Sequence, residues 1–205
     1  MTRAELKAQA KARLQGNWGW AIALVFVGTL FATLIGSLTV GILQLMVLTG
    51  LSFTLLRFID SGEQGRSLFN NIFSGFTSGQ PIAVFLNTLL TYIFTALWSL
   101  LFVIPGLVKA LAYAQVPYIL ADLQHAGGEI GATDAITASR ELMHGHKWDY
   151  FILQLSFVGW GLLAVCTAGI GFLWLAPYVQ ATNAAYYRQL AGDRFQQPDA
   201  AFSDF

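Results

Sequence analysis

Residues 104–122 read IPGLVKALAYAQVPYILAD, and the way this stretch meets a bilayer decides the fold. It opens on a Pro105-Gly106 break, carries Lys109 among apolar neighbours, runs through Tyr113, Gln115 and Pro117, and ends on Asp122. Only twelve uncharged residues separate Lys109 from Asp122, fewer than the ~20 that a helix needs to cross the hydrocarbon core. Lys109 lies one turn from the break, so its stem can carry the ammonium to the headgroups. Residues 106–122 can then cross, short and tilted. A re-entrant or interfacial helix is the alternative.

The flanks carry the same message more strongly. No charged residue occurs in 14–56, nor in 150–187, a run of 38 residues. Each run holds two spans and a tight turn. The first is read as 18–37 and 40–57, turning at 36–41; the second turns near 167–171. Pro81 opens a further span that reaches about residue 104. Trp18 and Trp20 stand at the entry of the first run, where indoles favour the interface.

Composition agrees. Of 205 residues, 56% are hydrophobic and 11% charged, with a mean hydropathy of +0.58. A soluble domain carries about 25% charge, so this chain lacks the polar coat to hide its apolar surface from water. A formal net charge of zero argues against a nucleic-acid partner. The single Cys166 cannot form an intramolecular disulfide and reads as a small hydrophobe packing in a helix. The apolar run after residue 17 is too long for a signal core, so no cleaved leader is expected.

Between the spans lie three amphipathic segments. Thr2 and Glu5 fit a capping box for a basic helix to about Leu14, whose stripe is Leu6, Ala10 and Leu14. It suits an anionic lipid surface, or else plain solvent. In 61–80, Leu68, Phe69, Ile72, Phe73 and Phe76 form one stripe opposite Asn70, Asn71 and Ser74. The third is the best patterned: Ala132, Ala135, Ile136, Ser139, Leu142 and Met143 recur at helical spacing, with Asp134, Thr137, Arg140 and Glu141 largely elsewhere on the wheel.

The fold class expected is an all-α membrane protein with six transmembrane helices as three hairpins, each preceded by an amphipathic interfacial helix. The hairpin units cover about 1–57, 62–122 and 131–187 of a single membrane domain, 1–190. A polar tail, 191–205, is expected to fray. Ten of the eleven Lys and Arg then fall on one side, and Lys109 is the exception. The positive-inside rule places both termini in the cytoplasm. An offset of 65 residues brings Gly106 onto Gly171, Tyr113 onto Tyr178 and Gln115 onto Gln180, which reads as an internal repeat, with chance agreement the alternative.

Candidate ligand-binding residues follow from polarity inside spans. Gln115, Tyr118 and Asp122 share one helical face, and Gln180, Asn183 and Tyr187 occupy the matching positions of span six. Such stripes face a bundle interior. They could line one shared site, or only hydrogen-bond between helices. Lys109 and Tyr113 lie on a different face and complete the candidate set. Pro117 and Pro177 free the carbonyls four residues earlier and read as packing kinks. His125, His144 and His146 lack the Cys pair or acids that a zinc site needs, so they read as a basic patch, and neither metal nor cofactor is expected. With no Ser-His-Asp set, phosphate-cradling loop or intramembrane acid pair, no catalytic residue is assigned.

Three pieces, IPGLVKALAYAQVPYILAD, ASRELMHGHKWDYFILQLSFVGWGLL and GIGFLWLAPYVQATNAAYYRQL, resemble the bacterial membrane family DUF975. The resemblance implies a polytopic protein of the bacterial plasma membrane and carries no activity. It would bring more basic residues through the third amphipathic helix than Arg140 alone, which weakens a phosphate-binding role for that helix. The expected function is non-enzymatic binding or transport-related handling of a lipid or amphiphile. The alternative is a structural or interaction role beside a membrane protein partner.

Overall fold

A computed structural model describes residues 2–38, 42–62, 67–101, 103–127 and 130–196, and all their regular structure is helical. Ten helices occur among the described residues: α1 (Arg3–Leu14), α2 (Trp18–Leu38), α3 (Ile42–Ser61), α4 (Leu68–Ile72), α5 (Pro81–Leu101), α6 (Val103–Ala112), α7 (Val116–Ala126), α8 (Asp134–Leu142), α9 (Lys147–Cys166) and α10 (Phe172–Ala191). The first expected turn, 36–41, falls partly on residues 39–41, outside the described residues; the far end of the tail, 197–205, does so wholly.

Among the described residues, three helices contain stretches long and apolar enough to cross a membrane: Leu43–Ser61, Pro81–Trp98 and Lys147–Cys166. The pair α1 and α2, bent by 97°, would make a fourth. The α3 stretch is 61% buried and forms the centre, whereas those of α5 and α9 are 11% and 22% buried. What α5 and α9 expose is apolar: Ile82, Tyr92 and Leu97 on one, Leu155, Val158 and Leu162 on the other. Left in water, such surface costs roughly 25 cal/mol per Å², so these faces suit hydrocarbon.

The stretch 104–122 is corrected in two places. Pro105 and Gly106 lie inside α6, in its first turn, where a proline is tolerated because that N–H has no helical partner. The helix breaks instead at 113–115, and Pro117 begins α7 rather than kinking a continuous span. The two pieces have 10 and 11 residues, each about half of what a crossing needs.

The amphipathic segments pack rather than float. The capping box of α1 is formed, Thr2 N donating to Glu5 Oε2 at 2.6 Å and Glu5 N to Thr2 Oγ1 at 3.3 Å. Its stripe of Leu6, Ala10 and Leu14 is buried, in the core that joins α1 to α10, and so faces protein rather than lipid or solvent. Lys7 Nζ sits 4.0 Å over the Phe157 ring and Arg3 pairs with Asp149 at 3.2 Å, so α1 runs beside α9. In α8, Ala135, Ile136, Ser139 and then Met143 are buried, following the stripe, and Ser139 Oγ donates to Ala112 O at 2.8 Å. The tail does not fray at once, because Phe195 is wholly buried.

Around α4 the helical wheel misleads in part. Ile72 of the stripe is buried and Leu68, Phe73 and Phe76 pack against the same core, but Asn71 is buried too and Phe69 is 60% exposed, because the chain also docks its backbone onto α3. Thr54 Oγ1 donates to Asn71 O at 2.9 Å and Ser74 Oγ to Gly50 O at 2.8 Å. A Cβ on Gly50 would fall 2.6 Å from Ile72 O and 2.9 Å from Gly75 N. Both neighbours are backbone and cannot swing aside. Gly50→Val should therefore lower stability by about 1–3 kcal/mol, as overpacking does. Thermal unfolding of the detergent-solubilised protein measures it, and an unchanged melting temperature would refute the close packing.

Candidate functional site

Three helix segments converge on one guanidinium. Arg188 lies in the last turn of α10, where a cation complements the helix dipole. Asp60 comes from the last turn of α3 and Asp122 from the middle of α7. Arg188 Nε and Nη2 donate to the two Asp60 oxygens at 2.8 and 2.6 Å. Nη1 and Nη2 donate to the two Asp122 oxygens at 2.9 and 3.0 Å, and Nη1 also to Gly192 O at 2.7 Å. Every N–H of the planar fork is thus used. Tyr187 Oη donates to Asp122 Oδ2 at 2.7 Å, and its ring stacks on Tyr118 at 5.5 Å between centroids.

A cavity of about 360 Å³ opens beside this cluster, lined by Asp60 and Asp122 together with Arg57, Ser61, His125 and Gln196. A second, of about 600 Å³, shares Arg57 and His125 with it and adds Asn70, Asn71, Thr77 and Gln124. Between the two, Arg57 Nη2 lies 3.4 Å from His125 Nε2. Arginine only donates, so in this contact Nε2 is the acceptor. The pair of cavities makes a polar vestibule at the ends of α3 and α7. With Arg188 saturated and Arg57 also in the lining, the two carboxylates are balanced by two guanidinium groups, and the vestibule suits a neutral polar group.

The expected pairing of α7 with α10 is therefore partly realised. Tyr118, Asp122 and Tyr187 meet, the last two 65 residues apart. Asn183 instead accepts from Gln154 Nε2 at 2.6 Å, a bond between α9 and α10. Gln115 is wholly buried at the break, and neither amide atom has a hydrogen-bond partner among the described residues. Gln180 is half-buried and Tyr113 buried in the core, away from the carboxylates. Lys109 lies elsewhere, its Nζ 4.8 Å over the Trp98 ring. Reasoning from span polarity missed Asp60 and Arg188, because both sit at helix ends and read as surface charges.

The side chains of Arg188 and Asp122 are 16% and 3% exposed, so removing one partner strands a buried charge. Arg188→Ala should cost about 3–5 kcal/mol. Arg3→Ala, which breaks the exposed pair with Asp149, should cost no more than about 1 kcal/mol. Unfolding in detergent compares the two directly. Equal effects would show that the Arg188 fork is not a structural tie.

Residues 102–194 match the family described as a protein of unknown function, DUF975. That stretch carries Asp122, Tyr187 and Arg188, while Asp60 falls outside it. No curated protein and no solved structure matches the chain. Over residues 102–194, with three of the four members of the charged cluster, the chain is similar to the DUF975 family.

Proposed function

We propose that this is a multi-pass protein of the bacterial plasma membrane, with both termini cytoplasmic, that binds an amphiphile without catalysis. One observation carries the ligand class. A groove of about 420 Å³ is walled by Trp18, Trp160, Trp174 and Leu175, and Lys11 is the single charged side chain lining it. An apolar trough ending on one cation matches a single acyl chain with an anionic head. Indoles at such a site add amphipathic surface suited to the interface.

The topology rests on the charge count and on the uncharged runs. Six crossings in three hairpins is the reading these favour. The break at 113–115 makes the return of the second hairpin a broken or re-entrant segment. A second reading, an accessory subunit of a membrane complex, is favoured by the bare face of α5. Crosslinking in native membranes separates the two: a stoichiometric protein partner supports the second, a lone chain with bound lipid the first.

Two outcomes are expected. Spin-labelled stearate should quench tryptophan fluorescence saturably in the purified protein. Lys11→Gln should weaken that binding about fivefold, the worth of one interfacial cation; no saturable quenching would end the proposal. For topology, the exposed and single Cys166 should react with a membrane-impermeant maleimide in intact cells. Labelling only after permeabilisation would place the 167–171 turn on the wrong side for a crossing α9.

A further inference from the structure

Lys109 was the one basic residue that the sequence set apart from all the others. It does not stand apart in space. A pocket of about 340 Å³ is lined by Lys109 from α6, by Thr137, Arg140 and Glu141 from α8, by His144, and by Lys147 at the start of α9. A pocket of that volume is roughly 9 Å across, whereas opposite faces of a bilayer lie ~30 Å apart. Lys109 therefore lies in one pocket with Arg140 and Lys147, not a membrane's width away from them.

The charge balance of this pocket is unlike that of the Arg188 cluster. Three permanent cations and an imidazole face one carboxylate. None of the three is in an ion pair among the described residues, whose pairs are Arg3 with Asp149 and Arg188 with Asp60 and Asp122. Lys109 is half-buried and lies over the Trp98 ring, which steadies its ammonium without neutralising it. Lys147 is also half-buried, while Arg140 and His144 are open to the mouth. Like charges held this close repel, and a bound anion relieves the repulsion. A tetrahedral phosphate offers several acceptor oxygens at once, one edge for the planar Arg140 fork and others for point-charge ammonium groups. Thr137 can donate a further hydrogen bond from its hydroxyl.

We propose that Lys109, Arg140 and Lys147, with Thr137 and His144 at the rim, form a phosphate-binding pocket, distinct from the Lys11 groove and independent of its reading. The phosphate can belong to an anionic phospholipid headgroup or be free in solution, and the experiment separates these sources. The full-length protein is placed in nanodiscs of phosphatidylcholine alone and titrated calorimetrically with inorganic phosphate. In parallel, nanodiscs containing phosphatidate are analysed by native mass spectrometry for retained lipid.

Saturable binding of inorganic phosphate assigns a soluble source, and retention of phosphatidate alone assigns the lipid; either supports the pocket. In both arms Arg140→Gln and Lys147→Gln should each weaken binding about tenfold, the loss of one charged hydrogen bond, and Arg13→Gln should leave it unchanged. Glu141→Gln should tighten binding, a gain that misfolding cannot produce. The proposal is overturned if neither probe binds, if the Arg140 and Lys147 variants bind as the parent does, or if Glu141→Gln has no effect on a probe that does bind.

Discussion

One guanidinium holds together helices that the chain places far apart. Without Arg188, the carboxylates of Asp60 and Asp122 would face each other across a shallow cavity. Their repulsion would drive the ends of α3 and α7 apart. Placing a cation between two acids, of which Asp122 is buried, is not in itself stabilising, because desolvation can exceed the Coulombic gain. Here the hydrogen bonds are complete: the fork spends all its donors, and Tyr187 adds another to Asp122. The arrangement therefore sets geometry more than it adds energy. Only one placement of α10 satisfies both acids, and that placement positions the walls of the polar vestibule.

Around this tie the molecule divides by solvent. The central helix α3 is shielded by its neighbours, and Gly50 lets the α4 turn lie backbone to backbone against it. Outward, α5 and α9 show bare apolar faces. The charged features fall at helix ends or on the short elements: Lys11 on α1, the carboxylates at α3 and α7, the basic pocket where α6, α8 and α9 meet. An apolar periphery with polar recesses near helix ends is the distribution a bilayer imposes, since water is available only there.

How much of this was legible in the sequence depended on the range of the interaction. Local signals read true. The capping box at Thr2 and Glu5 is formed, the α8 stripe is buried where its spacing put it, and a turn lies at 167–171 with Gly169 at a φ of 87°. Prolines were less legible, because the same residue can begin a helix or kink one; Pro105 and Pro117 both begin one. Tertiary partnerships were the least legible. Asp60, Arg188 and the two cations beside Lys109, Arg140 and Lys147, look like ordinary surface charges in one dimension, and only packing shows that they converge. The offset of 65 residues was an exception, since it aligned Asp122 with Tyr187, which bond. Gln115 and Gln180, at the same offset, do not. The residues of span polarity thus marked the right helices and only half of the contacts.

The docking of α1 has a consequence for how the chain is made. Leu6, Ala10 and Leu14 are buried in the core that α10 helps to close, and Tyr178 Oη donates to Lys7 O at 3.4 Å across 171 residues. During synthesis α1 emerges well before its packing partner α10, with the other described helices in between. Contacts of such wide separation form late, because a long loop must close before they are rewarded. Helix α1, ahead of the other described helices in the chain, is therefore among the last to be secured. A chain stalled before residue 172 would hold its basic amino-terminal helix undocked, displaying to the membrane surface an apolar stripe that the finished protein conceals.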